Sequence, residues 1–228
     1  MEQLIFELAT PEPPAFANFV QGQNAEALTT LRRLAEGENA ETGIVLWGAP
    51  GVGKTHLLRA AVGGANAVGR DAHYFASPSD LTAAAFAPRA FIAVDLADSA
   101  DAAGQGRLFT LYNTLAASHG QLAVATRVAP AQLALRDDLR TRLGHGLIFE
   151  IVSLADADKA STLAVYARER GFQLSDDVIG YLLVHGRRDM GALVATLAAL
   201  DRRSLSLKRP ITVPLLREWL QREAGAAD

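Results

Sequence analysis

The chain has 228 residues, of which 50% are hydrophobic and 21% charged, enough to build one medium domain or a larger domain with a small one attached. A net charge of −3 excludes the overall basic excess expected when nucleic acid is the main partner, although local basic patches remain compatible with it. The absence of cysteine excludes disulfides, thiol catalysis and cysteine-ligated zinc, and the five scattered histidines suggest no metal cluster. No apolar run approaches the ~18 residues of a membrane helix, and Glu2 and Glu7 stand where a secretory signal would carry positive charge, so a cytoplasmic protein without membrane contact is expected.

In chain order, residues 1–10 precede Pro11, Pro13 and Pro14, which hold the backbone extended and decouple the two sides. Gln3-Leu4-Ile5-Phe6-Glu7-Leu8 reads either as an edge strand or as a linear motif whose Gln3, Leu4, Phe6 and Leu8 enter a partner's pockets. Phe16, Phe19 and Val20 are apolar anchors. Asn24 is placed as the cap of a helix over 25–35, with Leu28, Leu31 and Leu34 at helical spacing and Gly37 closing it.

The apolar run Ile44-Val45-Leu46-Trp47 predicts a strand, Gly48-Ala49-Pro50-Gly51-Val52-Gly53-Lys54-Thr55 a loop, and the residues from His56 a helix ended by Gly63-Gly64. Further strands are expected at 72–76, 91–95, 122–126 and 147–151. Between them lie a short helix capped by Ser79 and stopped by Pro88, and a longer one through Leu108, Leu111, Tyr112 and Leu115 ended by Gly120. Short strands alternating with helices argue for an α/β fold, a parallel sheet covered on both faces. From Ser153 the pattern becomes purely helical, with helices expected at about 157–170, 175–185, 188–205 and 212–223.

The spacing G-x-x-x-x-G-K-T between a strand and a helix is that of a phosphate-binding loop. Glycines let the backbone N–H groups curl round a polyphosphate, and the helix N-terminus adds its positive end. Gly48, Pro50, Gly51, Val52, Gly53, Lys54, Thr55 and His56, with Val20 ahead of them, form the expected nucleotide-binding set. Lys54 supplies a charge to the outer phosphates, and Thr55 a hydroxyl to a Mg²⁺ ion that keeps most of its waters. Asp95, closing the third strand, is the expected second group at the metal; its bland alternative is a carboxylate capping the next turn.

The position after Asp95 holds Leu96, where rapidly hydrolysing P-loop ATPases carry a further carboxylate, and Asp98 lies too far along the chain to be assumed a replacement. Weak hydrolysis by the chain alone follows. Thr126 at the end of the fourth strand either reaches the γ-phosphate or attacking water, or simply finishes a strand. Arg136, Arg140 and Arg142 cluster with Asp137 and Asp138. They form either a solvated helix face with pairs such as Asp138 with Arg142, or a source of one arginine finger for a neighbouring subunit's nucleotide. Arg187 and Arg188 either fold back on the phosphates or are surface charge.

The order P-loop, Asp95, Thr126, arginine cluster and helical segment opening at Arg188 resembles the AAA+ ATPases of the replication-initiator clade, and within them the Hda family. Gly-Lys-Thr-His-Leu-Leu at 53–58 is similar to the P-loop of the initiator DnaA. Residues 3–8 are similar to the Hda family's sliding-clamp-binding segment; 16–19 and 22–24 fit its leading segment, and 200–205 through 211–214 its final helices. The resemblance implies a clamp-binding segment at 1–10, an AAA+ nucleotide-binding domain at 11–152 and an all-helical lid at 153–228.

It further implies ADP or ATP with Mg²⁺ as ligands, and DnaA and the DNA polymerase III sliding clamp (beta subunit) as partners. A homo-oligomer is allowed, and DNA would be met through the clamp complex. On that reading Gln3, Leu4, Phe6 and Leu8 dock on the clamp. Gly51, Gly53, Lys54, Thr55 and Asp95 hold nucleotide and metal, and Arg188 is the lid arginine. Arg142 acts catalytically in trans as the finger aimed at the ATP of DnaA, and the sensor at the fourth strand is Thr126 or Arg127. The function implied is negative regulation of replication initiation, by stimulating ATP hydrolysis in DnaA. The chain ends where DnaA would begin its DNA-binding domain, which favours regulator over initiator. Two alternatives stand beside it: a DNA-associated AAA+ ATPase of the helicase-loader or initiator type acting through its own hydrolysis, against which Leu96 and the acidic balance tell, and a stand-alone nucleotide-binding module.

Overall fold

The structure, a computed structural model, describes residues 13–81, 85–187 and 189–225. Five strands, β1 (Gly43–Trp47), β2 (Ala72–Phe75), β3 (Phe91–Val94), β4 (Gln121–Thr126) and β5 (Leu147–Glu150), form one sheet in the order β2-β3-β4-β1-β5, every pair parallel. The three central strands read as continuous apolar runs because both of their faces are covered: β3 and β4 are buried at every position, and β1 at all but its last.

Alternate side chains go to opposite layers. Ile44, Leu46, Phe91, Ala93, Ala123 and Ala125 pack on helices α1 (Ala25–Ala35) and α2 (Lys54–Ala67). Val45, Ile92, Val94, Leu122 and Val124 pack on α3 (Ala102–Ala117) and α4 (Asp137–Gly144). Helices α5 (Asp156–Glu169), α6 (Asp176–His185), α7 (Met190–Leu207) and α8 (Val213–Gly225) follow. They enclose a separate core of Leu163, Val178, Ile179, Leu182, Leu193, Leu197, Leu200, Ile211 and Leu216. No described helix is long and apolar enough to cross a membrane.

Three local expectations are corrected. Helix α2 does not end at Gly63-Gly64 but continues to Ala67. A Cβ on Gly64 would lie 3.2 Å from the Phe16 ring, so this glycine lets the leading segment lie close against the helix, and the left-handed stop is Gly69 at φ +77°. Asn24 stands at the N-cap of α1 without a side-chain capping bond. Its amide instead clamps Val152, donating from Nδ2 to the carbonyl at 3.0 Å and accepting the backbone N–H at 2.9 Å, where the chain leaves the sheet for the helical segment. Ser77, rather than Ser79, precedes the turn after β2, a 3-10 turn over Pro78–Asp80; residues 82–84 lie outside the described chain.

Candidate nucleotide site

The phosphate-binding loop leaves the carboxyl end of β1, between β4 and β5, the edge where open α/β sheets bind ligands. Its three glycines all sit at positive φ: Gly48 at +148°, Gly51 at +81° and Gly53 at +102°. Two are also spatially obligatory. A Cβ on Gly48 would come within 2.4 Å of the Ile151 carbonyl oxygen, and one on Gly53 within 2.7 Å of the Phe19 ring. At Gly51 a Cβ would meet the Cβ of Asp189 at 3.0 Å, so the residue capping α7 lies against the loop.

Lys54 opens α2 and is 9% exposed. Its ammonium donates to the carbonyls of Gly48 at 2.6 Å and Ala49 at 2.8 Å. Burial lowers its pKa, while the negative charges of Asp95 and Asp98 oppose that shift. Thr55 donates to Asp95 Oδ2 at 2.5 Å, and the same oxygen accepts from the Tyr74 hydroxyl at 3.2 Å. Asp95 Oδ1 accepts the N–H of Leu96 at 2.8 Å. Tyr74 itself lies under the guanidinium of Arg59, 4.7 Å from the ring centroid, and burial raises its pKa.

These residues fit a nucleotide with a divalent ion. The loop is a backbone cradle that side chains on its glycines would fill, and a hydroxyl and a carboxylate oxygen lie side by side as hard-cation ligands. No group of three or more His, Asp or Glu able to hold a metal occurs among the described residues, so an ion here would take its remaining ligands from phosphate and water.

The other expected residues fall as follows. His56 Nε2 lies 3.0 Å from the Ala15 carbonyl and its ring is 5.5 Å from that of Phe19, so it ties the leading segment to the loop helix. Val52 packs against the α1–α2 core layer, Val20 is half-buried and Pro50 exposed. Thr126 is buried, pairs with Trp47 across β1, and donates its hydroxyl to Val128 O at 2.8 Å. Gln3, Leu4, Phe6, Leu8 and Arg188 lie outside the described residues; Arg187 is exposed and 3.3 Å from Asp189.

On α4, the expected pairing of Asp138 with Arg142 does not form. Asp138 takes Arg136, at the N-cap, at 2.6 Å, and Asp137 takes Arg140 at 2.6 Å, because both carboxylates sit in the first turn within reach of the nearer arginine. Arg142 is exposed, over the Tyr112 ring at 5.9 Å, with no carboxylate partner among the described residues.

Sequence reasoning missed Tyr74 and Asp189 at the site and set Asp98 aside. Asp98 is near enough to act on the charge of Lys54 and pairs with Arg127, the residue after β4, at 2.5 Å. The one advance signal was that Arg127 is an alternative polar residue at that strand end.

Residues 156–220 match the family model described as Hda, lid domain. Among solved structures, domain III of the Thermotoga maritima replication initiation protein DnaA superposes with a TM-score of 0.78 at 18% identity, covering 93% of this chain and 97% of that one. AMPPCP-bound DnaA from Aquifex aeolicus gives a TM-score of 0.70 at 23% identity, covering 84% of this chain and 66% of that one. A Thermotoga maritima RuvB variant gives 0.67 at 15% identity, covering 92% and 72%. The chain spans 65% of the length of a replication initiator DnaA structure bound to AMPPCP and single-stranded DNA, matched at 22% identity with a TM-score of 0.71 over 84% of this chain. With its parallel sheet in the order β2-β3-β4-β1-β5 and a P-loop after β1, the chain has the α/β fold of these replication-initiator and RuvB structures, and its residues 156–220 are similar to the Hda lid domain.

Proposed function

We propose that this chain is a nucleotide-binding regulator of DNA replication initiation, which stimulates ATP hydrolysis by DnaA together with the DNA-loaded sliding clamp and so inactivates the initiator. Gly48, Pro50, Gly51, Val52, Gly53, Lys54, Thr55 and His56, with Val20, hold ADP or ATP, and Thr55 and Asp95 serve Mg²⁺. The bound ion would neutralise phosphate charge. Arg188 is the lid arginine, and Gln3, Leu4, Phe6 and Leu8 dock on the clamp. Residues 1–10, 11–152 and 153–228 act as clamp segment, nucleotide domain and lid.

The observation that carries the reading is Arg142. Its neighbours Arg136 and Arg140 are each held by a carboxylate on the same helix, whereas Arg142 is exposed and, among the described residues, has a ring contact but no carboxylate partner. An arginine supplied in trans to a transferring phosphoryl group is worth on the order of 10³ or more in rate. The Hda-type lid match supports DnaA as the partner class. Nucleotide at the loop would set the angle between sheet and lid, since Asp189 abuts Gly51.

The test measures phosphate release from ATP-loaded DnaA with and without the chain and the DNA-loaded clamp. Acceleration by the full mixture, with slow turnover by the chain alone, is expected. Fast turnover by the chain alone with no effect on DnaA would overturn the proposal and favour an ATPase working through its own hydrolysis. Deleting residues 1–8 should abolish clamp pull-down while leaving the melting temperature nearly unchanged.

A further inference from the structure

Leu96, directly after Asp95, takes a left-handed conformation (φ +48°, ψ +38°), which is strained for a residue other than glycine. The turn sends its side chain outward, 48% exposed, and begins the 3-10 turn Ala97–Ser99. That turn is closed by Ser99, whose N–H and hydroxyl donate to Leu96 O at 2.8 and 2.7 Å. Asp98, in its middle, points inward with its side chain 8% exposed. Oδ2 accepts from Arg127 Nε at 2.5 Å, and Oδ1 is buried without a hydrogen-bond partner among the described residues.

A buried acceptor left alone is costly, more so when it is charged, and native structures rarely retain one without a reason. Here the surroundings supply one. β3, β4 and β1 are neighbours and parallel, so Asp98, Arg127 and the phosphate-binding loop all leave the same edge of the sheet. The negative charge of Asp98 opposes the lowering of the Lys54 pKa by burial.

We propose that Asp98 orients the attacking water and accepts its proton at the chain's own nucleotide site, in place of the carboxylate missing at position 96, with Arg127 as its positioning residue. This rests on the reading that the loop holds a nucleoside triphosphate. The water oxygen forms a bond to the γ-phosphorus as the bond from that phosphorus to the bridging oxygen breaks. The leaving diphosphate takes that electron pair. The water proton passes to Asp98 Oδ1 and then to the released phosphate, giving nucleoside diphosphate and inorganic phosphate. Arg127 holds Oδ2, which limits rotation of the carboxylate and keeps the lone pairs of Oδ1 toward the water.

The test uses the full chain with ATP and Mg²⁺. It measures single-turnover hydrolysis, the dissociation constants for ATP and ADP, and the melting temperature. Asp98→Asn keeps an acceptor for Arg127, so the fold is expected to stand. It should slow hydrolysis by about 100-fold or more, the usual range for a lost general base, and leave both dissociation constants within about threefold. The variant should therefore retain ATP after an incubation in which the wild type carries ADP. Arg127→Ala should lower kcat more than it changes KM, and Arg127→Lys should recover part of the loss.

Should Asp98→Asn melt early, Asp98→Glu carries the test, because it keeps the charge but moves the oxygens by one methylene; a fall of about tenfold in hydrolysis at unchanged affinity is expected. A wild-type rate in Asp98→Asn, no hydrolysis by the wild type, or an equal loss of ATP and ADP affinity would overturn the assignment. Failure of the wild type to bind either nucleotide would instead overturn the nucleotide reading beneath it.

Discussion

At the carboxyl edge of the sheet Lys54, Asp95 and the side chain of Asp98 are buried and interlocked with Thr55, Tyr74 and Arg127. On α4 Arg142 is exposed, Arg140 pairs with Asp137, and Arg136 at the N-cap pairs with Asp138 while lying over the Phe109 ring. The difference is one of dielectric. Buried charges depend on their partners, because removing one leaves another desolvated and uncompensated, whereas an exposed pair is worth about 0.2–1 kcal/mol and can be given up to an incoming partner. The first region therefore couples fold to ligand, and the second can face another molecule at little cost to the fold.

Substitutions ranked by expected effect test that contrast. Gly48→Ala should be the most severe, costing about 3 kcal/mol or more in denaturant unfolding, since it combines a forbidden φ with a Cβ 2.4 Å from the Ile151 carbonyl oxygen. A loss below about 1 kcal/mol would mean the loop is softer than drawn. Lys54→Ala should weaken nucleotide binding by about 100-fold, or about 2.7 kcal/mol, in a direct titration. It should also cost the fold about 1–3 kcal/mol, because the carbonyls of Gly48 and Ala49 lose their donor and the Asp95 carboxylate loses a nearby positive charge.

Tyr74→Phe removes the hydroxyl that reaches Asp95 at 3.2 Å while keeping the ring under Arg59. A loss of about 1 kcal/mol in stability is expected. The smallest effect on stability should come from Arg142→Ala, within about 0.5 kcal/mol by thermal unfolding; under the proposed function the same variant should fail to accelerate ATP hydrolysis by DnaA. A stability change above about 1 kcal/mol would make Arg142 a packing residue on Tyr112 and erase the distinction between the two regions.

Much of this architecture is legible from local pattern. The central strands were readable because strands buried on both faces must be apolar throughout, and α1 because Leu28, Leu31 and Leu34 repeat with the helical period and all turn to the sheet. The P-loop was readable because its glycines answer to backbone geometry, which spacing alone encodes. Less legible were residues whose role depends on a distant neighbour. Gly64 reads as a stop until Phe16 is placed against it, and Asn24 as a cap until Val152 comes within reach, 128 residues away.

The loop, the acid at the end of β3, the alternation of strands and helices, and the change to helices after Ser153 were all determined by the sequence itself, because periodicity, turn chemistry and motif spacing act over a few residues. The tertiary structure decided which charges meet. Strand order brings β3, β4 and β1 together although they are far apart in the chain, and the left-handed turn at Leu96 swings Asp98 inward onto Arg127. It also leaves Arg142 facing water while its neighbours pair. Those outcomes depend on long-range packing and on burial, and neither is written in the spacing of residues along one strand or helix.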